Sequence, residues 1–252
     1  MTALPIPVRS PLPTGLAGAT VVIVGGTSGI GLAAGELLRD VGARVVLVGR
    51  DKKRLDAAIE KVGGLGVSAD GADEDALAAV FDQAGSVDHV LVTAGGIGGA
   101  GPITGVSADD VRAAFESRVW GAFAAARVAA TRLPAGGSIT LSSGIYTIRP
   151  VPGMTGPLAA VGAVETFTGA LAVELAPRRL RVNAVRYGSF DTPLMRGLSG
   201  LTTDEAFAAA GSSAPLGRYG TADEAAASAL FLMANPYVTG QVITVDGGQS
   251  LV

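Results

Sequence analysis

The 252-residue chain contains no cysteine, one histidine and three lysines, and these shortages exclude several kinds of chemistry. Without cysteine there is no disulfide, thiolate metal site or cysteine nucleophile. The single histidine, His89, begins an apolar, strand-like run, and we interpret it as structural. Lys52, Lys53 and Lys61 all lie in the first quarter of the chain. Any proton transfer must therefore rely on tyrosines, carboxylates or water.

The composition also argues against several kinds of partner. One histidine and scattered carboxylates predict no metal site. A net charge of −3 without a basic stripe argues against nucleic acid. No uninterrupted apolar run approaches the roughly 18 residues of a membrane span, and no secretory leader is evident. We expect a cytoplasmic protein with no membrane partner, which the lack of cysteine also fits.

Strand-like and helix-like segments alternate seven times along the chain. This alternation predicts an α/β fold, a doubly wound parallel sheet of seven strands with helices on both faces. Residues 1–15 carry four prolines and are expected to form an extended arm ahead of this domain. Residues 188–215 form a long irregular stretch, which we interpret as a substrate lid. Ligands in such sheets bind beyond the carboxyl ends of the strands.

A glycine-rich turn at 24–31 follows the first strand and precedes the first helix. Gly25, Gly29 and Gly31 fit a backbone that bends sharply, lets a ligand approach and packs a helix on a sheet. The free N–H groups of the helix start would then face a pyrophosphate. The alternative is a glycine-rich turn with no ligand.

Four motifs resemble those of the short-chain dehydrogenases/reductases, in the same order and at matching spacing. The glycine turn is similar to the family's T-G-x-x-x-G-I-G, with Val24 in place of the threonine. The other three lie at 93–95 (T-A-G), 171–185 (L-A-V-E-L-A, then R-V-N-A-V) and 240–248 (G-Q, then V-D-G-G). The resemblance covers nearly all of the chain after residue 16. It implies one Rossmann-like domain at 16–252 that binds a nicotinamide dinucleotide.

The resemblance also bears on the choice of cofactor. The family binds NAD through an acidic residue at the end of the second strand, where this chain has Gly49 followed by Arg50. Arg50 could pair with a 2′-phosphate, or be a solvated surface residue. Asp51 lies beyond the strand and is interpreted as a helix cap. We expect NADP(H), with NAD(H) as the alternative. The predicted cofactor-binding residues are Gly25, Thr27, Ser28, Gly29, Ile30, Gly31, Arg50, Asp70, Ala94, Gly95 and Thr192.

The family's catalytic residues are an Asn, a Ser and a Y-x-x-x-K pair, whose lysine lowers the pKa of the tyrosine. Spacing from the matched motifs places these four positions at Arg118, Gly144, Pro157 and Val161. No lysine follows Lys61, so a shifted alignment restores no such pair. The resemblance therefore implies an atypical member.

The candidates to replace the missing groups are Tyr146, Ser143, Arg118 and Tyr187. Tyr146 follows the fifth strand and could donate a proton, with Arg118 or Arg149 as a positive neighbour. Ser143 could bind a substrate oxygen, or simply cap a loop. Tyr187 could stack on the nicotinamide ring, line the substrate pocket or block the entry of that ring.

Three hypotheses follow for function. The first is an NADP(H)-dependent oxidoreductase acting on a small, apolar carbonyl or hydroxyl compound. The second is a non-redox isomerase, dehydratase or cyclase that reuses the same pocket. The third is a catalytically inactive partner subunit. The resemblance implies a homodimer or homotetramer, formed through the helices at 108–133 and 158–176.

Overall fold

The structure is a computed structural model that describes residues 10–96, 98–201 and 203–252. Seven parallel strands form one sheet in the order β3-β2-β1-β4-β5-β6-β9, which confirms the predicted fold class. Most of the predicted arm, residues 1–9, lies outside the described residues. The strands of this sheet are β1 (Thr20–Val24), β2 (Arg44–Gly49), β3 (Leu65–Ser68), β4 (His89–Val92), β5 (Ser138–Gly144), β6 (Arg181–Tyr187) and β9 (Val242–Val245).

Helices cover both faces of the sheet. Their apolar sides pack with the buried strands into two main clusters, one on each side. The helices are α1 (Gly29–Asp40), α2 (Lys52–Val62), α3 (Glu74–Ala84), α4 (Ala108–Phe115), α5 (Gly121–Arg132), α6 (Thr155–Leu175), α7 (Pro193–Ser199), α8 (Asp204–Gly211) and α9 (Ala222–Ala234).

Local signals in the sequence set several helix starts. The side chain of Asp51 accepts a hydrogen bond from the Arg54 amide, which confirms it as the cap of α2. Ser107 caps α4 in the same way. Thr221 and Glu224 form a reciprocal capping box at the start of α9.

The helix expected over 108–133 is not uniform. A π-helical turn, Glu116–Trp120, separates α4 from α5 and carries Arg118. Such wide turns are rare in proteins, and many of those that occur lie at functional sites.

The longest helix, α6, is also the most apolar. By length and composition alone, Thr155–Arg178 could cross a membrane. One side of it, however, is buried against β5 and β6, as in the core helix of an α/β domain.

A small separate sheet lies at the segment predicted to form a lid, residues 188–215. Strand β7 (Phe190–Asp191) lies near the start of this segment and pairs in parallel with β8 (Gly220–Thr221), which follows the segment. The segment between them contains α7 and α8 and lies beside the carboxyl ends of β5 and β6.

Candidate active site

A cavity of about 1140 Å³ opens along the carboxyl ends of the strands. It runs from the loops after β2 and β3, past the glycine turn, to the loop after β5 and the lid. All of the residues predicted for cofactor binding or catalysis border it. The sequence therefore brings them to one place, and their roles remain predictions.

The backbone of the glycine turn leaves room for a ligand to approach it closely. Gly25 and Gly29 adopt positive φ angles of 96° and 52°, a region that favours glycine. A Cβ on Gly31 would overlap the carbonyl oxygen of Gly25. Ser28 occupies the cap position of α1, and its side chain makes no capping hydrogen bond in the described structure. The first amides of α1 thus remain available to an anion such as a pyrophosphate.

Two arginines border the end of the cavity formed by the loops after β2 and β3. Arg50 forms a long ion pair of 3.8 Å with Asp70, and both side chains are exposed. Arg54, in the first turn of α2, also borders the cavity. A side chain at Gly49 would overlap the methyl group of Thr27. An acidic residue at position 49 would therefore require Thr27 to move.

The other end of the cavity has an apolar wall. Pro157 lies in the first turn of α6, where no helical hydrogen bond is lost. Val161 follows one turn later and is buried. Gly144 ends β5 beside them in extended backbone. These three positions and Arg118 border the same cavity, as expected from the spacing of the motifs.

Arg118 stands on the π-helical turn and reaches across the loop after β4. Its Nε donates a hydrogen bond of 3.1 Å to the carbonyl of Gly96. The side chain lies so close to Gly95 that any Cβ there would collide with it. Burial lowers the pKa of the guanidinium below its ordinary value.

The two tyrosines differ in placement. Tyr146 lies in the turn after β5, is partly exposed and borders the cavity. Tyr187 borders it too, but its ring packs edge-on against Phe190, and burial raises the pKa of its phenol far above the usual range. The Tyr187 hydroxyl is buried without a hydrogen bond of normal geometry in the described structure. This placement favours a core role for Tyr187 over proton transfer.

Near the carboxyl ends of β5 and β6 lies a set of polar side chains that we call the Glu165 cluster. Arg186 donates to both carboxylate oxygens of Glu165, at 2.9 Å from Nε and 2.6 Å from Nη2. Ser143 and Thr147 also donate to Glu165 Oε1, and Arg186 donates to Thr244 at 2.9 Å. Because Ser143 donates its one hydroxyl proton to Glu165, that proton is not available to a substrate oxygen in this arrangement. The members of the cluster are Ser143, Thr147, Glu165, Arg186 and Thr244.

The Glu165 cluster fixes the turn that carries Tyr146. The Thr147 hydroxyl also lies 3.0 Å from the carbonyl oxygen of Gly144, so its one proton is shared between that oxygen and Glu165 Oε1. Ser143 and Thr147 therefore anchor both sides of the turn to one carboxylate. Burial would raise the pKa of Glu165, but the hydrogen bonds from Arg186, Ser143 and Thr147 outweigh it and lower the pKa.

Comparison with known proteins decides the family. A family model described as enoyl-(acyl carrier protein) reductase matches residues 24–250. Carbonyl reductase family member 4 of Danio rerio is 33% identical over 239 residues, covering 92% of this chain and 98% of that protein. A solved short chain dehydrogenase/reductase family protein superposes with a TM-score of 0.82 at 32% identity, covering 94% of this chain and 99% of that one. The chain belongs to the short-chain dehydrogenase/reductase family.

A further relative widens the range of chemistry in this short-chain dehydrogenase/reductase fold. The MalC reductase/Diels-Alderase of Malbranchea aurantiaca superposes with a TM-score of 0.85 at 28% identity. The aligned region covers 94% of this chain and 98% of that one. The family typically binds NAD(P)(H) and acts on small molecules, and its members are commonly oligomeric.

The lid of this family member contributes apolar side chains. Leu194, Met195 and Leu198 of α7 border the cavity, whereas Phe207 of α8 is buried against Tyr219. Asp191 is held by Arg196 at 2.6 Å, a hydrogen bond that lowers the pKa of its carboxyl. A paired aspartate of this kind is a poor general base.

Sequence reasoning missed Arg54 and the Glu165 cluster. A usable signal was present for the cluster: Glu165 is a carboxylate on a largely apolar helix, and Arg186 is a cation within an otherwise apolar strand run. Charges in such positions are rarely left without a partner. For Arg54, the signal was its place one turn after Arg50 in the first turn of α2.

Proposed function

We propose that this protein is an NADP(H)-binding oxidoreductase for a small, mainly apolar carbonyl or hydroxyl compound, with Tyr146 as the proton donor. The observation that carries the proposal is the shared cavity. It joins a glycine turn fit for a pyrophosphate to a phenol and an apolar wall at the other end. Bound NADPH would supply the hydride, and this chain's own residues would hold the substrate and move the proton.

The preference for NADP(H) rests on Arg50 and Arg54. Both border the cavity, and position 49, where the family has the acidic residue that selects NAD(H), is a glycine here. Guanidinium groups bind phosphate with paired, charge-assisted hydrogen bonds. Substituting Arg50→Ala should weaken NADPH binding about tenfold and leave NADH binding unchanged, as measured by fluorescence titration. Equal losses for the two cofactors would contradict this assignment.

Tyr146 is the best-placed acid because its phenol borders the cavity beside Gly144. No described residue of the chain hydrogen-bonds to its hydroxyl, so the group is available to substrate. The test is NADPH oxidation with a panel of medium-chain aldehydes and ketones. Turnover by the wild-type protein supports the proposal, and the absence of both turnover and NADPH binding overturns it.

A second candidate is a non-redox enzyme, and one observation favours it. Pro157 and Val161 present a hydrocarbon surface where the family pattern has its Tyr and Lys. A cavity of this kind can orient an apolar substrate for cyclisation or isomerisation, and one structural relative is named a Diels-Alderase as well as a reductase. Cofactor turnover with the natural substrate would exclude this candidate.

We also propose that the protein assembles as a homodimer or homotetramer through α5 and α6. Val173 on α6 and Trp120 before α5 are exposed to 77% and 50%. Gly162 and Gly169 have open space around them on the outer side of α6, which allows close helix approach. Light scattering after gel filtration measures the mass of the assembly. The Gly169→Glu variant should form a smaller assembly than the wild-type protein, because the new side chain would separate the helices. A strictly monomeric wild-type protein would refute it, and would also count against an inactive partner-subunit role.

A further inference from the structure

The cations along the cavity fall into two kinds. Arg50 and Arg54, at the end formed by the loops after β2 and β3, each have an aspartate within 4 Å. Arg118, at the other end, has no ion pair among the described residues, and its one hydrogen bond goes from Nε to a backbone carbonyl. Glu116 lies two residues away and borders the cavity.

Arg118 is therefore a cation with N–H groups that remain available to a ligand. Its two Nη groups make no hydrogen bond within the described chain, while burial already disfavours its charge. A partly desolvated guanidinium gains most from an anion that accepts two parallel hydrogen bonds. A carboxylate has that shape.

The surroundings of Arg118 define the rest of such a ligand. The same end of the cavity is lined by hydrocarbon from α6 and the lid. These side chains are Met154, Pro157, Leu158, Val161, Leu194 and Leu198. A ligand that fills this end would have one anionic group and an apolar body.

We propose that Arg118 binds a carboxylate, so that the substrate is a small apolar carboxylic acid that also carries the reacting carbonyl or hydroxyl group. The inference rests on the proposed function for its catalytic meaning, but the anion site can be tested without turnover. It assigns Arg118 to substrate recognition.

The test is isothermal titration at constant ionic strength with matched pairs: butyrate and butyramide, hexanoate and hexanamide, benzoate and benzamide. Each pair is titrated with the protein alone and with NADP⁺ present. At least one acid should bind about tenfold tighter than its amide. Arg118→Met should bring that ratio close to one without weakening amide binding. Arg112→Met is the matched control, because Arg112 lies on α4 with its side chain 76% exposed, and it should keep the preference.

Several outcomes would overturn the assignment: no pair with a preference for the acid, a preference that survives Arg118→Met, or a loss of NADP⁺ affinity with the ratio intact. Arg118→Gln provides a second neutral variant in case Arg118→Met does not fold. If NADP⁺ fails to bind but the acid preference appears and depends on Arg118, the cofactor proposal fails and the anion site stands.

Discussion

Two sets of polar groups near the carboxyl end of β5 are in opposite conditions. In the Glu165 cluster, Glu165 and Arg186 are mostly buried, and each makes several hydrogen bonds within the cluster. Around the cavity, Arg118 and Tyr146 leave most of their hydrogen-bonding capacity unused within the described chain. A satisfied polar cluster holds structure in place, whereas unsatisfied groups around a cavity are available to a ligand. The contrast separates positioning from chemistry.

The largest effect should come from removing the centre of the Glu165 cluster. Glu165→Ala leaves Arg186 mostly buried without its carboxylate, which should lower the free energy of unfolding by about 3–5 kcal/mol. Urea denaturation measures this loss. The matched control is Glu174→Ala, an exposed position on the same helix, which should change stability by less than about 0.5 kcal/mol. Similar losses for both variants would show that the cluster is not a special source of stability.

Around the cavity, the expected effect is on catalysis and not on folding. Tyr146→Phe removes only a hydroxyl group with no partner in the described chain, so stability should hardly change. Turnover of the best carbonyl substrate should fall about hundredfold if the phenol donates the proton. Tyr237→Phe is the control, because Tyr237 is 98% exposed. Unchanged turnover in Tyr146→Phe would assign the proton to water or to another group.

The fold could be predicted because its signals are local. Buried parallel strands are short apolar runs, and the caps at Asp51, Ser107 and Thr221 mark helix starts by residue type alone. The strand ends were less predictable. β5 and β6 continue to Gly144 and Tyr187, past the polar residues Ser142 and Arg186, because the backbone ladder between them does not require apolar side chains.

The site could be predicted only in outline. The alternation of strands and helices brings the loops to one edge of the sheet, so the cavity residues were found from their positions. Glu165 and Arg186 are 21 residues apart, and only the packing of α6 on β5 and β6 brings them together. The π-helical turn under Arg118 was also not evident, since apolar periodicity does not distinguish it from a regular helix.

Acid should reduce the contribution of the Glu165 cluster. The pKa of Glu165 is lowered in the folded protein from an ordinary value of 4.5. Its stabilisation is therefore fully present above pH 4.5 and is lost as the pH falls through the lowered pKa. The stability gap between wild type and Glu165→Gln should stay constant from pH 7 to about 4.5 and then narrow. Urea midpoints measured between pH 7 and 3 test this, and a gap that widens on acidification would show that the carboxylate is not held ionised.

The smallest effect is expected at Gly144, which borders the cavity and also contacts Thr147 of the Glu165 cluster. Its backbone is extended, with φ −142° and ψ 150°, and an added Cβ would meet only the Tyr187 carbonyl, at 3.9 Å. Gly144→Ser should therefore change the free energy of unfolding by less than about 0.5 kcal/mol while placing a hydroxyl group beside the cavity. Gly31→Ser is the contrasting control, because its Cβ would overlap the Gly25 carbonyl and should destabilise the glycine turn strongly. Thermal denaturation compares the two. A large loss at Gly144 would mean that the cavity wall is as tightly constrained as the Glu165 cluster, and that the presence or absence of hydrogen-bond partners alone does not distinguish the two sets of residues.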